Sequence, residues 1–382
     1  MGKITQIKIS GFRRLRDITL KMRDLMVMIG ANGVGKTSIL DALSLISASA
    51  AGSMSRRLSE MSGIGEVLTR DYSGNLILRV EMEVPRYEPL EYEIQLEPKG
   101  QTYGISYEAL SQNHGQKEPF KHIDSHYDKI HYFNTDTGKI VKPSWEHNAM
   151  ESSLSQVPKM FKEPEELRKV LSSASQFHVL DVGQRAPVKL PQQMAPTDTP
   201  GENGENLAPF LYNLREGPHK DRYEAIEDTL KATFPGFEEL NFPPVAAGML
   251  SMTWKEKSFK KSIYIHQLSE GTLRFLWLIS LLQSPTLPTI TMIDEPEVSL
   301  HPELLSVLAD LMREASGRTQ LIVATHSDRL VRFLKPEEVL VLDMDDNGYS
   351  SVRWGDELNL EKWLSEYTLD EVWRLGRMGG RS

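Results

Sequence analysis

The chain has 382 residues, of which 40% are hydrophobic and 25% are charged, and its formal net charge at pH 7 is −9. This length and apolar fraction allow one large α/β domain with an inserted lobe, or two domains. An acidic surface repels nucleic acid, so any DNA contact would need a local basic patch. The absence of cysteine excludes disulfides, cysteine nucleophiles and thiolate metal sites.

The N-terminal segment, residues 3–29, is predicted to form several strands. Ile4, Ile7 and Ile9 alternate with polar residues, as in a strand with one buried face. The segment holds no apolar signal-peptide block, and apolar stretches such as residues 275–279 are far too short to span a bilayer. We therefore expect a cytoplasmic protein with no membrane segment.

A glycine-rich loop follows this segment. Residues 30–37 match the pattern G-x-x-x-x-G-K-[ST] without a mismatch. The apolar run at residues 26–29 reads as a buried strand before the loop, and Ile39, Leu43 and Ile46 recur behind it at helical spacing. In this context the glycines let backbone N–H groups close around a phosphate, and the helix N-terminus adds positive potential. The sequence therefore predicts that the chain binds a nucleoside triphosphate.

The side chains of this phosphate loop have distinct expected roles. Lys36 can reach the β- and γ-phosphates, and the hydroxyl of Thr37 is placed to bind Mg²⁺. The predicted nucleotide-binding residues of the loop are Gly30, Asn32, Gly33, Gly35, Lys36, Thr37 and Ser38.

The middle of the chain changes character at about residue 99. Before it, residues 75–84 and 90–98 alternate strongly and predict an antiparallel strand pair. From about residue 99 to residue 171 the sequence is polar, with scattered aromatics and no heptad repeat, which favours an inserted lobe over a coiled-coil arm. The histidines of this stretch match no metal-ligand spacing. They are His114, His122, His126, His131 and His147.

The second half of the expected site lies near the end of the chain. Residues 287–296 read as a buried strand that ends in two carboxylates, although acids before a proline are also typical of a turn. After a phosphate loop, Asp294 is expected to hold Mg²⁺ and Glu295 to orient and polarise the attacking water. A further short strand at residues 320–324 delivers His326 to the ligand crevice, where it could contact the γ-phosphate.

A third motif links these halves to a known family. Residues 268–272 (LSEGT) open an amphipathic helix with Ser269 as N-cap, and they resemble the L-S-G-G-Q signature of ABC-type ATPases. They precede Asp294 and His326 in that family's order. The opening residues 4–20 and the closing segment resemble the stand-alone RecF/OLD/SMC-like branch, and within it the small predicted ATPases of prokaryotic genomes, rather than transporter subunits.

This resemblance implies an α/β fold, a P-loop NTPase of the ABC-ATPase type with a mixed sheet core, N-terminal antiparallel strands and an inserted lobe. It also implies ATP and Mg²⁺ as cofactors and a homodimer around two ATP molecules. Each ATP would lie between residues 30–37 of one subunit and Ser269 and Gly271 of the other. The expected divisions of the chain are an N-terminal ATPase lobe at 1–98, an inserted polar lobe at 99–175 and a C-terminal ATPase lobe at 176–382.

The sequence departs from the family pattern at several positions. Glu270 replaces the usual first glycine of the signature and Thr272 the glutamine, while His301 stands near the place of a frequent aspartate. The family's Q-loop, which ties Mg²⁺ to the insert, is best matched by Gln184, although Arg185 is equally placed. These departures bear on coupling across the dimer more than on ATP binding.

The resemblance favours an ATPase that acts as a nucleotide-driven sensor or clamp and controls a separate effector, such as a nuclease, in anti-phage defence. The alternatives are a RecF-like DNA-repair ATPase and a slowly hydrolysing regulatory scaffold. A local basic cluster could contact DNA, although such residues are usually only solvated. Its members are Arg13, Arg14, Arg16, Lys21 and Arg23.

The sequence also argues against a nuclease within the chain itself. Asp343 and Asp345 form a D-x-D pattern, but the Asn-Gly pair and the alternating run that follow predict a hairpin. Fewer than 40 residues remain after that run, too few for the TOPRIM domain of OLD-like relatives. We therefore expect any nuclease to be a separate protein.

Overall fold

A computed structural model of the chain describes residues 2–70, 74–100, 102–113, 115, 118–127, 129–134 and 137–379. These residues form two compact units. The first comprises residues 1–175, 336–367 and 371–382, and the second comprises residues 176–335 and 368–370. The expected three-part division of the chain stays a prediction.

The strands lie in both units and are mostly short. In chain order they are β1 (Ile4–Phe12), β2 (Leu15–Lys21), β3 (Leu25–Ile29), β4 (Leu76–Val84), β5 (Tyr87–Lys99), β6 (Thr102–Gln112), β7 (Phe120–His126), β8 (Tyr132–Asn134), β9 (Lys139–Val141), β10 (Ser175–Phe177), β11 (Gln192–Gln193), β12 (Phe237–Asn241), β13 (Pro244–Val245), β14 (Met249–Leu250), β15 (Thr253–Glu256), β16 (Ile263–Tyr264), β17 (Ile290–Asp294), β18 (Gln320–Ala324), β19 (Val339–Met344) and β20 (Ser350–Trp354).

The helices range from single turns to four turns. In chain order they are α1 (Lys36–Ala51), α2 (Met54–Glu60), α3 (Ile64–Val67), α4 (Ser153–Gln156), α5 (Lys162–Ser172), α6 (Leu207–Glu216), α7 (Lys220–Thr233), α8 (Glu270–Leu282), α9 (Leu304–Ser316), α10 (Asp328–Val331), α11 (Glu361–Leu364) and α12 (Leu369–Arg374). No helix in the described part of the chain is long and apolar enough to cross a membrane.

The first unit contains an antiparallel sheet of eight strands in the order β2-β1-β4-β5-β6-β7-β8-β9. The predicted inward residues Ile4, Ile7 and Ile9 are at most 1% exposed, and β4 pairs antiparallel with β5 as the alternation predicts. Strands β6 to β9, which sequence analysis did not predict, continue the same sheet through the polar stretch. The antiparallel N-terminal strands are therefore confirmed.

The phosphate loop is supported by a second set of strands in the first unit. All five residues of β3 are buried, and β3 pairs in parallel with β19. Strand β19 turns back through Asn347 and Gly348 to pair antiparallel with β20, which confirms the predicted hairpin. The turn uses Gly348 at φ 78°, a left-handed conformation that glycine adopts without a steric penalty.

The second unit carries the strands that precede the predicted catalytic residues Glu295 and His326. Strands β17 and β18 are parallel neighbours, and Asp294 pairs with Ala324 at their carboxyl ends. Helix α8 is predominantly apolar and nine of its thirteen residues are buried, so it belongs to the core of the unit. Two small antiparallel sheets, β11-β14-β13 and β12-β15-β16, complete the unit.

Candidate functional site

The phosphate loop occupies the turn between β3 and α1 in the first unit. Helix α1 begins at Lys36, directly after Gly35. Gly30 and Gly35 have φ values of 151° and 110°, where side chains are disfavoured. A Cβ atom at Gly30 would lie 2.5 Å from the carbonyl oxygen of Leu342. Glycine is therefore required at these positions both by the backbone conformation and by the close approach of neighbouring strands.

Ser350, at the start of β20, forms hydrogen bonds that hold this loop in place. Its Oγ donates a buried hydrogen bond of 2.6 Å to the carbonyl oxygen of Val34, and its N–H donates to the carbonyl oxygen of Arg14. A Cβ atom at Gly35 would lie 2.7 Å from the same Oγ. Sequence analysis missed this residue, because only the pairing of distant strands brings it to the loop.

The polar side chains of the loop differ in exposure. Lys36 is 4% exposed, and its ammonium group donates to the carbonyl oxygens of Gly30 at 2.6 Å and Ala31 at 3.0 Å. Asn32 and Thr37 are exposed, and Ser38 is half-buried. The loop thus combines a fixed cation, a helix N-terminus and accessible oxygens, the groups that bind a phosphate and its cation.

In the second unit, Glu295 and His326 meet just beyond the carboxyl ends of β17 and β18. The Nε2 atom of His326 lies 3.6 Å from Oε1 of Glu295, and both side chains are partly exposed. The backbone of Glu295 has φ 50°, and its N–H donates to the carbonyl oxygen of Ala324 at 2.8 Å. Asp294 is the last residue of β17 and is half-buried. An accessible carboxylate beside an imidazole can orient a water molecule and accept its proton.

A further carboxyl group, Glu297, lies in the turn after Glu295. Its Oε1 accepts hydrogen bonds from Oγ1 of Thr325 at 2.6 Å and from the N–H of His326 at 3.2 Å. Burial raises the pKa of Glu297, the two hydrogen bonds oppose this shift, and the charge of Glu295 adds to it. Sequence analysis did not single out this residue, although Asp-Glu-Pro-Glu was a visible signal.

The signature segment begins α8 as predicted. Ser269 is the N-cap, and its Oγ accepts a hydrogen bond from the N–H of Thr272 at 3.2 Å. This cap satisfies one of the backbone donors at the helix start, and the others remain directed along the positive end of α8. The expected N-cap is therefore confirmed, and its role toward a nucleotide stays a prediction.

Contacts within the second unit explain the glutamate that departs from the family signature. Oε1 of Glu270 lies 2.7 Å from Nη1 of Arg274 and accepts a hydrogen bond of 3.1 Å from Oγ of Ser299. Arg274 also donates to that Oγ at 2.6 Å. A Cβ atom at Gly271 would lie 2.5 Å from the carbonyl oxygen of Ser299. The start of α8 is thus joined directly to the turn that follows the predicted catalytic glutamate.

The structure also places Gln184, the D-x-D aspartates and the histidines discussed above. Gln184 lies in an exposed turn, and within the described part of the second unit its side chain makes no hydrogen bond. Asp345 accepts hydrogen bonds from Asn347 and Tyr349 N–H groups, which is the behaviour of a turn aspartate. Among the described residues no cluster of three or more His, Asp or Glu side chains could hold a metal ion, and His114 lies outside them.

The N-terminal basic cluster makes contacts inside the first unit. Arg13 pairs with Asp41 at 2.6 Å, and Arg23 pairs with Asp356 at 3.0 Å. Arg14 donates to the carbonyl oxygen of Gly348. Arginines that already have partners offer less charge to a DNA backbone, so these contacts disfavour the cluster as a nucleic-acid patch.

Comparisons with solved structures concern the fold. The chain is similar to an Smc head bound to the C-winged helix domain of ScpA, with 16% identity, a TM-score of 0.56, and coverage of 94% of this chain and 99% of the other. Smc heads from Pyrococcus furiosus and Pyrococcus yayanosii share 15% and 13% identity, each with a TM-score of 0.51. They cover 96% and 98% of this chain, and 98% and 100% of their own. The predicted P-loop NTPase fold of the ABC-ATPase type is therefore confirmed.

Comparisons of sequence identify the family. No curated protein matches the chain. The family model described as "AAA domain, putative AbiEii toxin, Type IV TA system" matches residues 25–332, which include the phosphate loop, the signature segment, Glu295 and His326. The chain therefore belongs to this family of AAA-type ATPase domains.

Proposed function

We propose that the protein binds ATP with Mg²⁺ and hydrolyses it to ADP and phosphate. The observation that carries this proposal is the Glu295–His326 pair beyond β17 and β18, in a chain that also has a complete phosphate loop. A protein that only binds nucleotide does not need an accessible carboxylate at that position. The family assignment and the fold support the same function.

The residues of the phosphate loop would bind and orient the triphosphate. Lys36 would exchange its bonds to loop carbonyl oxygens for the β- and γ-phosphates, and the N-terminus of α1 would stabilise their charge. Glu295 would orient the attacking water and accept its proton, with His326 beside the γ-phosphate.

We propose that a magnesium ion binds to oxygen donors supplied by Thr37 and Asp294. Thr37 offers an exposed hydroxyl and Asp294 a half-buried carboxylate at a strand end, and hard oxygen ligands of this kind suit Mg²⁺. When bound, the ion would neutralise charge on the phosphates. Gln184 remains a candidate third ligand, proposed from the family resemblance alone.

Two substitutions separate binding from chemistry. Glu295→Gln should leave ATP affinity intact and reduce turnover at least about a hundredfold, because only the water-orienting group is lost. Lys36→Ala should instead weaken ATP binding itself. Nucleotide affinity and phosphate release, measured on the same preparations, check both expectations. Hydrolysis by Glu295→Gln at the wild-type rate would show that this carboxylate has another role, and a wild-type protein that binds ATP without turnover would favour the slowly hydrolysing scaffold.

We further propose that two subunits close around two ATP molecules, each held by one phosphate loop and by Ser269 and Gly271 of the other subunit. The capped start of α8, with its remaining N–H groups at a positive helix end, supports a phosphate contact. Sedimentation of Glu295→Gln with Mg²⁺-ATP should give a dimer, and a strict monomer would refute the closure. Gly271→Arg is a poor probe, since any side chain there meets Ser299 of the same subunit.

ATP-driven closure would serve to control a separate effector, for which a nuclease in anti-phage defence is our candidate. The stretch from residue 99 to residue 171 is the proposed contact region. Deleting residues 105–165 would remove buried strands, so single changes at the exposed Ile140 and Met160 are cleaner probes. Co-purification with the neighbouring gene product should depend on ATP and should weaken in Ile140→Asp or Met160→Asp. Binding that depends neither on ATP nor on these substitutions would favour a DNA-repair clamp that works alone.

A further inference from the structure

The turn that follows β17 carries two glutamates with different surroundings. Glu295 points to an accessible position beside the imidazole of His326, at 3.6 Å. Glu297 contacts the same loop after β18 by other atoms, since Thr325 Oγ1 and the backbone N–H of His326 both donate to its Oε1. The carboxyl group of Glu295 is thus accessible for the proposed catalysis. The carboxyl group of Glu297 links the loop after β17 to the loop after β18.

The hydrogen bonds of Glu297 continue through Thr325 into the loop that follows β18. Thr325 is fully buried, and its Oγ1 also accepts a hydrogen bond of 3.0 Å from the N–H of Ser327. Ser327 in turn caps α10 by accepting from the N–H of Leu330. The Glu297 carboxyl group therefore contacts the start of the segment that leads into α10, and the imidazole of His326 in this segment lies beside Glu295.

The environment of Glu297 is unfavourable for a residue with only a turn-forming role. Its Oε2 atom is buried and has no hydrogen-bond partner among the described residues. A buried acceptor without a donor destabilises a fold, so its retention calls for a structural or functional reason.

We propose that Glu297 is a positioning residue for ATP hydrolysis, which fixes the Thr325–His326 turn so that the imidazole of His326 stays beside Glu295. This inference rests on the proposed ATPase function and names a residue that acts through the catalytic pair without touching the nucleotide. Small displacements of a positioned group reduce turnover strongly while leaving substrate affinity in place.

The test compares Glu297→Ala, Glu297→Gln and a matched control, Glu303→Ala, whose carboxyl group is on the same segment but 89% exposed. Glu297→Ala should lower kcat by about ten- to a hundredfold, with the dissociation constant for ATP unchanged. Glu297→Gln keeps an oxygen that can accept from Thr325 and should restore most of the turnover. Glu303→Ala should behave as wild type.

Two further variants test whether Glu297 acts through its hydrogen bond with Thr325. Thr325→Val removes the hydroxyl donor without changing side-chain volume greatly, and it should also lower kcat. Because both changes break one junction, the Glu297→Ala/Thr325→Val double variant should be no slower than the worse single variant. Fully additive losses would overturn the proposal, as would wild-type kcat in Glu297→Ala or a loss of ATP affinity alone.

An NMR measurement separates this inference from the ATPase proposal. The ring Cε1 resonance of His326, assigned by its loss in His326→Gln, should move in nucleotide-free Glu297→Ala and stay in place in Glu303→Ala. If the wild-type protein does not hydrolyse ATP, the function proposed above fails, and this resonance still decides whether Glu297 positions the imidazole. An unchanged resonance in Glu297→Ala would overturn the positioning role.

Discussion

The substitution Ser350→Ala tests whether the phosphate loop depends on the distant β20. The change removes one oxygen atom and leaves the backbone conformation of the strand available. What is lost is the 2.6 Å hydrogen bond from Ser350 Oγ to the carbonyl oxygen of Val34, inside the loop. The loop glycines and Lys36 are untouched, so any effect must arrive through the support of Val34.

The magnitude follows from the burial of that bond. Removing a donor from a buried carbonyl oxygen leaves an unsatisfied group, which destabilises the folded state by about 1–3 kcal/mol. For a compact unit of this size, each kcal/mol lowers the melting temperature by about 2–4 °C. If about 1.4 kcal/mol of this loss destabilises the loop conformation that binds ATP, the affinity for ATP falls about tenfold.

Thermal unfolding with and without Mg²⁺-ATP, together with ATP titration, measures both effects. Ser351→Ala is the matched control, because the neighbouring hydroxyl makes only a long bond of 3.4 Å to the carbonyl oxygen of Asp343. It should change neither the melting temperature nor the affinity appreciably. A Ser350→Ala variant that melts within about 1 °C of wild type and binds ATP equally well would refute this role of the hydrogen bond. An equal effect of Ser351→Ala would refute it as well.

Two further predictions concern buried and half-exposed carboxylates. Glu270→Gly restores the first glycine of the family signature but removes contacts with Arg274 and Ser299. Since the Glu270 side chain is 51% exposed, the loss of stability should stay below about 1 kcal/mol. It should appear as a small drop in melting temperature, and a higher melting temperature would contradict it. Glu108→Gln removes one acceptor from the N-terminus of α4, where the fully buried carboxyl group accepts two backbone N–H bonds, and should lower stability by about 1–3 kcal/mol. Burial raises the pKa of Glu108 above its ordinary value of 4.5, so the folded state holds this proton more tightly. The contribution of Glu108 to wild-type stability therefore falls as pH rises from 4.5 through the raised pKa. Melting temperatures across that interval should show the deficit of Glu108→Gln shrinking as pH rises, and a growing deficit would refute the assignment.

Sequence patterns predicted the elements whose signals are local. The phosphate loop between a strand and a helix, the β4–β5 pair, the Asn-Gly hairpin and the N-cap at Ser269 all follow from a few adjacent residues. Each depends on short-range geometry that a single sequence window contains. The same holds for Asp294 at a strand end.

Strands β6 to β9 escaped prediction because their buried residues include polar ones. Glu108 is fully buried in β6, where its carboxyl group accepts from two N–H groups of α4 and from Tyr92. A glutamate at an inward position breaks the apolar alternation by which a strand is recognised. Ser350 was missed for a related reason, since its partner lies on another element and no spacing in the sequence marks it. The partners of Glu297 also lie on another element, and only its place in Asp-Glu-Pro-Glu could have pointed to it.

The backbone of Glu295 shows what the site requires of the fold. Its φ of 50° is in the left-handed region, which disfavours residues with a Cβ atom by about 1–2 kcal/mol. A sequence selected only to fold would place glycine or asparagine there, since both tolerate this conformation more readily. Glutamate at this position therefore carries a conformational cost that glycine would avoid, and a substitution chosen only for heat resistance would remove the carboxylate that we propose orients the attacking water.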